Sequence, residues 1–138
     1  PHLGHTFKTT KNLGAIMTGT AYPDLWNLEY DANDESLHSM AEAYTKIYIN
    51  TCLSNKVDVL LKIMEKGQID GTIYHLNRSC KLMSFLNVET AEIIKGVNGK
   101  PYVSFDGDQT DPNVFSPAQY ETRVQALVEM MEANLAAE

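Results

Sequence analysis

Ile69-Asp70-Gly71-Thr72-Ile73-Tyr74-His75-Leu76-Asn77-Arg78-Ser79-Cys80-Lys81 is the stretch on which the fold turns. Its first part, Ile69 to Leu76, is short, rich in β-branched and aromatic residues, and preceded by Gly67, which predicts a buried strand. Asn77, Arg78 and Ser79 then turn the chain, so that the thiol of Cys80 is delivered to the loop leaving the strand. Ligand chemistry in α/β folds gathers at such strand ends, and a thiolate is a soft ligand capable of holding iron or zinc. The other reading of Cys80 is a small buried hydrophobe.

The segments on either side alternate in period. Upstream, Val57, Leu60, Leu61 and Met64 form a helical stripe that Ser54 can cap, with Gly67 fitting a left-handed position just beyond its end. Before it, Leu37, Met40, Ala41, Tyr44, Ile47 and Tyr48 recur at helical spacing behind the negative charges of Asp34 and Glu35. Ala15 to Tyr22, flanked by Gly14 and Pro23, reads as a strand near the start of the chain, followed by an irregular connection around Trp26. Downstream, Leu86 to Ile94 is helical and stopped by Gly96 and Gly99; Pro101 to Phe105 is a third strand, closed by Asp106-Gly107-Asp108. The last helix starts at Ser116 as cap, Pro117 at the first position and Gln119 as capping-box partner. Its apolar face is Tyr120, Val124, Leu127, Val128, Met131 and Leu135.

This order predicts a single α/β domain over residues 1–138, a parallel sheet with helices on both faces, flavodoxin-like or Rossmann-like. Right-handed crossovers then put the carboxyl ends of the strands on one edge, so the loops at Asn77–Lys81 and Asp106–Thr110 should meet there. In that pair of loops, Arg78 and Lys81 either depress a thiolate pKa or are solvated cations. Asp106 and Asp108 either orient Lys81 or receive a metal, or else cap the next loop. His75 reads as a hydrogen-bonded core or rim histidine, while His2, His5 and His38 show no partner arrangement. Tyr22 and Trp26 either shape a substrate cleft or, as is commoner for loop aromatics, seal core edges, and the charged residues of the helices read as solvated faces.

Composition narrows the class. With 138 residues and 43% hydrophobic content the chain can bury one sizeable core and no second domain. A net charge of -7 and a pI near 5.0 argue against nucleic acid, which calls for a clustered basic surface; Lys8 to Lys11 is too short to supply one. Cys52 and Cys80, far apart and without a CxxC pair, indicate neither a disulfide framework nor a structural zinc site. No apolar run reaches membrane-spanning length, and Pro1-His2-Leu3-Gly4-His5 lacks a secretory layout, so the expected setting is soluble, reducing and cytoplasmic. Opening on proline and leading almost at once into a strand-like run, the chain reads as a piece of a longer polypeptide.

Asp70 to Lys81, together with Asp106-Gly107-Asp108-Gln109-Thr110-Asp111-Pro112, Phe115-Ser116, Gln119 and Thr122-Arg123, resembles the 2-hydroxyacyl-CoA dehydratase and benzoyl-CoA reductase family. The likeness runs from about Gly14 onward, looks closest to the C-terminal half of a β-type dehydratase subunit, and departs at Asn113, where arginine is expected. It implies an oxygen-sensitive enzyme of anaerobic amino-acid fermentation, with two related subunits that each carry a [4Fe–4S] cluster. It further implies an ATP-dependent iron–sulfur activator that injects one electron, and a ketyl-radical elimination of water from a 2-hydroxyacyl-CoA to give an enoyl-CoA. Carried onto this chain, the resemblance makes Cys80 one thiolate ligand of the cluster; Asn77, Arg78, Ser79, Lys81 and Asp106 are then expected around that cofactor, with Asn77 and Ser79 either donating to cluster sulfur or forming an ordinary Asx or ST turn.

A fully thiolate-held cluster takes about four cysteines, so the ligand set is incomplete in this chain. The remaining ligands are expected in an N-terminal half, and the fragment alone is expected to be inactive. Cys52, near the end of a helical stripe, reads as a core residue. Benzoyl-CoA reduction is the nearest enzymatic alternative, and a non-catalytic α/β subunit-docking module is the alternative from another class. A receiver-like reading fails because the run Ala15 to Tyr22 ends without acids.

Overall fold

A computed structural model describes residues 3–24, 28–31 and 36–137. Its elements are α1 (Leu3–Asn12), α2 (Ala21–Asp24), α3 (Ser36–Lys46), α4 (Leu53–Lys66), β1 (Thr72–Asn77), α5 (Lys81–Ser84), α6 (Asn87–Asn98), β2 (Tyr102–Gly107) and α7 (Pro117–Leu135), with 3-10 turns at Tyr48–Asn50 and Pro112–Val114. β1 and β2 pair in parallel from Thr72 opposite Tyr102 to Asn77 opposite Gly107, as two strands joined by the helical crossover through α5 and α6 must.

Alternation along the strands gives the sheet two faces. On one, Phe105 is buried with Tyr120 and Val124 of α7, and Leu13, Ile73 and Phe115 pack against them. On the other, Tyr102 meets Tyr74 edge-on at 5.8 Å and its hydroxyl donates to Glu92 of α6 at 2.5 Å. Beyond α6 lies a second cluster of Val57, Met64 and Ile94, with Leu53, Leu60, Leu61 and Ile69 packed against it. Helices therefore cover both faces, as expected of a parallel sheet.

Local signals locate α7 well: the Ser116 hydroxyl accepts from the Gln119 N–H at 3.4 Å, Pro117 opens the helix, and Tyr120, Val124 and Leu127 are buried. Gly99 ends α6 in the left-handed conformation at φ 71°, its N–H bonded to the Lys95 carbonyl. Gly96 instead lies inside α6.

Several expectations are corrected. Ala15 to Tyr22 is not a strand: residues 15–20 have no ladder partner among the described residues, Ile16 is 84% exposed, and Ala21 starts a helical turn. An extended run becomes a strand only where a neighbour takes its backbone hydrogen bonds. The first described element is also a helix, α1. The buried stripe of α1 is Thr6, Thr9 and Thr10, with the Thr10 hydroxyl donating to the Thr6 carbonyl at 2.9 Å and lying 3.4 Å from the Tyr120 hydroxyl, so apolar periodicity does not reveal it.

α3 exists but turns Ala43 inward while Leu37 is 81% exposed. The residue flanking α4 at its start is Cys52 rather than Ser54, and after α4 Gln68 rather than Gly67 takes positive φ, 49°. Lys56 belongs to no solvated face: it is 3% exposed, with its ammonium 5.5 Å from the ring centre of Tyr48, a cation–π approach. Burial pushes the Tyr48 phenol up to about 12. Trp26, Asp34, Glu35 and His2 lie outside the described residues. Among the described residues no helix is long and apolar enough to cross a membrane.

Candidate functional site at the strand ends

Because β1 and β2 are parallel and end in register, Asn77 opposite Gly107, the loops that follow them leave the same edge of the sheet. The ladder runs one bond further, from the Arg78 N–H to the Gly107 carbonyl at 3.0 Å. Asn77 is buried, and its carbonyl accepts both the Cys80 N–H at 3.1 Å and the Ser84 hydroxyl at 2.5 Å, which bends the chain into α5. Cys80, half-buried and free, stands immediately before α5 in an extended conformation. Its side chain makes no cap bond to that helix.

The two loops are tied by side chains as well. The Ser79 hydroxyl lies 3.0 Å from Asn77 Oδ1 and 3.1 Å from Asp108 Oδ1. The same oxygen of Asp108 accepts the Thr110 hydroxyl at 2.7 Å, the Thr110 N–H at 2.8 Å and the Asp111 N–H at 3.3 Å. These donors, the Thr110 hydroxyl first, hold the Asp108 carboxyl down at about 2. Arg78 Nε sits 3.6 Å from Asp106 Oδ1, both side chains largely in solvent. Lys81 opens α5 on the exposed surface.

Of the residues expected at the site, Asn77, Arg78, Ser79 and Asp106 thus come together with Cys80 at one edge. Neither aspartate takes the role of orienting Lys81. Asp106 faces Arg78, and Asp108 caps its own loop while also reaching Ser79. Asp108 caps its loop as the sequence favours, and its reach to Ser79 is what sequence reasoning misses. The signal available for it is local, an aspartate two residues before a threonine, and such a pattern marks any Asx turn.

His75 lies half-buried beneath this edge, as a core or rim histidine should. Its ring stacks on Phe105, with centroids 5.0 Å apart at 17°, and its Nε2 is buried without a hydrogen-bond partner among the described residues. Burial pushes the imidazole pKa below its usual range. With folded-state values depressed, His75 and Asp108 both contribute stability that is complete above their unfolded values and is lost as pH falls through the folded ones.

Gly107 closes over that ring so tightly that an added Cβ would fall 2.5 Å from Nε2 and 3.0 Å from Cδ2. Gly107→Ala is therefore expected to destabilise the fold by about 1–3 kcal/mol through overpacking. Denaturant melts of the same change in a His75→Ala background check the cause. An equal loss in both backgrounds would show that the ring is not what excludes the methyl.

No group of three His, Cys, Asp or Glu side chains suited to a metal exists among the described residues. Cys52 is exposed at the head of α4, its sulfur 3.1 Å from the Ser54 hydroxyl, which lowers the thiol pKa. It lies on neither of the two loops.

A parallel α/β edge bearing a cysteine turn beside an aspartate-capped loop is the frame in which the likeness to known proteins falls. The family model described as 2-hydroxyglutaryl-CoA dehydratase, D-component, matches residues 3–131, and the chain belongs to that family. It is 84% identical over 137 residues to the lactoyl-CoA dehydratase subunit alpha of Anaerotignum propionicum, covering 99% of this chain and 32% of that relative. It is 44% identical over 132 residues to the (R)-2-hydroxyisocaproyl-CoA dehydratase alpha subunit of Clostridioides difficile, covering 96% of this chain and 32% of the relative. A benzoyl-CoA reductase subunit of Thauera aromatica is 27% identical over 124 residues, covering 86% and 28%. The chain spans about a third of the length of the curated relatives it matches. Both of these dehydratase relatives are named as alpha subunits, whereas the sequence alone points to a β-type one.

Proposed function

We propose that this chain is part of an iron–sulfur subunit of a 2-hydroxyacyl-CoA dehydratase acting on lactoyl-CoA. The identity of 84% over 137 residues to a lactoyl-CoA dehydratase subunit carries this reading. The β-hydrogen of a 2-hydroxyacyl thioester is not acidic, which closes the ordinary elimination route. One electron added to the thioester carbonyl gives a ketyl radical that expels the 2-hydroxyl; the β-proton becomes removable, and the electron is returned, leaving an enoyl-CoA and water. When bound, a [4Fe–4S] centre supplies that low-potential electron.

The residues of this chain fit such a centre as the source of one thiolate. Cys80 offers a free, half-buried sulfur at the open edge of the sheet, with its backbone N–H already bonded to Asn77. The exposed cations Lys81, directly after it, and Arg78, two residues before it, are near in sequence and offset the negative charge of thiolates and sulfide. Asn77 holds the turn through its carbonyl, and Asp106 lies beside Arg78. With two cysteines in the chain, and about four thiolates in a fully cysteine-held centre, the other ligands come from elsewhere. A second dehydratase subunit, an ATP-dependent iron–sulfur activator and the acyl-CoA are the partners of this cytoplasmic heterodimer.

A benzoyl-CoA reductase-type reaction is the second reading, favoured by the 27% identity to the reductase subunit of Thauera aromatica. The two are separated by assembling the complete enzyme anaerobically with its activator and ATP. Lactoyl-, 2-hydroxyisocaproyl-, phenyllactyl-, 2-hydroxyglutaryl- and benzoyl-CoA would each be offered. The highest kcat/KM is expected with lactoyl-CoA. Reduction of benzoyl-CoA without dehydration of any 2-hydroxyacyl-CoA would overturn the assignment.

A further inference from the structure

We infer that Asp108 is a positioning residue for Cys80, holding the cysteine turn against the neighbouring loop through Ser79; the inference rests on the reading of Cys80 as a ligand. Between the ends of β1 and β2 the backbone supplies one bond beyond the ladder, from Arg78 to Gly107, and among the described residues no backbone bond joins Ser79 or Cys80 to the other loop. The Arg78–Asp106 pair spans the same gap, but at 3.6 Å with both side chains largely in solvent it constrains little. Ser79, directly before Cys80, is instead held at 3.1 Å by the carboxylate of Asp108, a residue only 8% exposed.

That carboxylate is itself immobilised. Its Oδ1 accepts the Thr110 hydroxyl and the Thr110 and Asp111 N–H groups, so it cannot follow Ser79 outward without breaking its own loop. The hydroxyl of Ser79 has one proton and two acceptors within reach, the Asn77 side-chain oxygen and the Asp108 carboxylate. The ionised acceptor makes the stronger bond. Ser79 is thereby committed to fixing the backbone on the N-terminal side of Cys80, and the geometry of one loop is transmitted to the thiol of the other. Outer partners of this kind orient metal ligands, and their loss typically lowers metal affinity about 10–100-fold.

Three variants of the complete subunit separate this role from ordinary loop capping. Asp108→Ala removes cap and clamp together; Ser79→Ala removes the clamp alone; Thr110→Val removes a capping hydroxyl and leaves the clamp. In iron-free protein, iodoacetamide alkylation of Cys80 is followed by peptide mass spectrometry, with Cys52 as the internal reference. Cys80 is expected to react about 10-fold faster in Asp108→Ala and Ser79→Ala, as loss of one hydrogen bond to a charged group implies. The Cys52 rate should not change, Thr110→Val should resemble the parent, and Asp108→Asn should restore most of the protection. In iron-loaded protein the same two variants should release iron to a chelator faster and shift the electron paramagnetic resonance of the reduced centre.

Parent-like alkylation of Cys80 in Ser79→Ala would overturn the clamp even if Asp108→Ala failed to fold. Faster alkylation combined with unchanged iron and spectra in both Ser79→Ala and Cys80→Ala would leave the clamp standing and overturn its connection to a metal centre. Loss of the iron signal in Cys80→Ala alone would support the ligand reading and overturn the positioning role of Asp108.

Discussion

Cys80→Ala in the complete subunit is expected to abolish dehydration while the protein stays folded. The thiol is half-buried, free, and makes no side-chain cap for the four-residue helix α5 that it precedes. The turn around it is held by backbone and by Asn77, Ser79 and Ser84, all of which remain. Removing the sulfur therefore costs the fold little, in the range of about 0.5 kcal/mol for substitutions away from buried features. The effect on the reaction has a different scale. Loss of an outer partner of a metal ligand already costs about 10–100-fold, and loss of the ligand itself opens an iron to solvent, so turnover should fall by more than about 100-fold. Iron content, electron paramagnetic resonance of the reduced protein and turnover are the measurements, made together with a denaturant melt. Unchanged spectra and activity would return Cys80 to the role of a structural cysteine. This chain alone, with two cysteines, should remain colourless after anaerobic reconstitution.

Leu127→Ala carries the largest expected stability loss, about 2–5 kcal/mol. Leu127 is 4% exposed on α7, and its Cδ1 lies 3.0 Å from the point where a Cβ on Gly71 would stand, so it packs directly on the entrance to β1. The glycine permits that approach, because Met131 closes the same spot from 2.7 Å. Truncating the leucine leaves a void bounded by backbone that cannot collapse into it. Ser116→Ala, in the same helix, removes one cap bond at the exposed Gln119 N–H and should cost on the order of 1 kcal/mol. Chemical denaturation of both variants checks the ranking. Equal and negligible losses would mean that α7 is not docked on the sheet as described.

Features are legible in the sequence where the deciding neighbours lie within a few residues. Ser116 and Pro117 start α7 regardless of what the helix later touches, and the left-handed residue after α6 is a glycine because only glycine takes φ 71° without strain. β1 and β2 follow from apolar runs bounded by turn residues, and a helix between two adjacent strands makes them parallel. That parallelism is enough to bring the cysteine turn and the aspartate loop to one edge.

Other features depend on partners distant along the chain. Ala15 to Tyr22 has the composition of a strand, but pairing needs an adjacent ladder, and among the described residues that segment has none. The threonine face of α1 is inward because α7 lies across it, and Lys56 is buried because Tyr48 offers a ring to its ammonium. The sequence by itself determined the parallel pair, the capped final helix and the placing of Cys80 at the strand ends. Only the tertiary structure decided that Asp108, 29 residues from Ser79, grips the turn before that cysteine, and that His75 forbids a side chain at Gly107. Helix caps and turns are set by covalent neighbours, whereas a hydrogen bond or close approach between two loops exists only once the sheet has set their spacing.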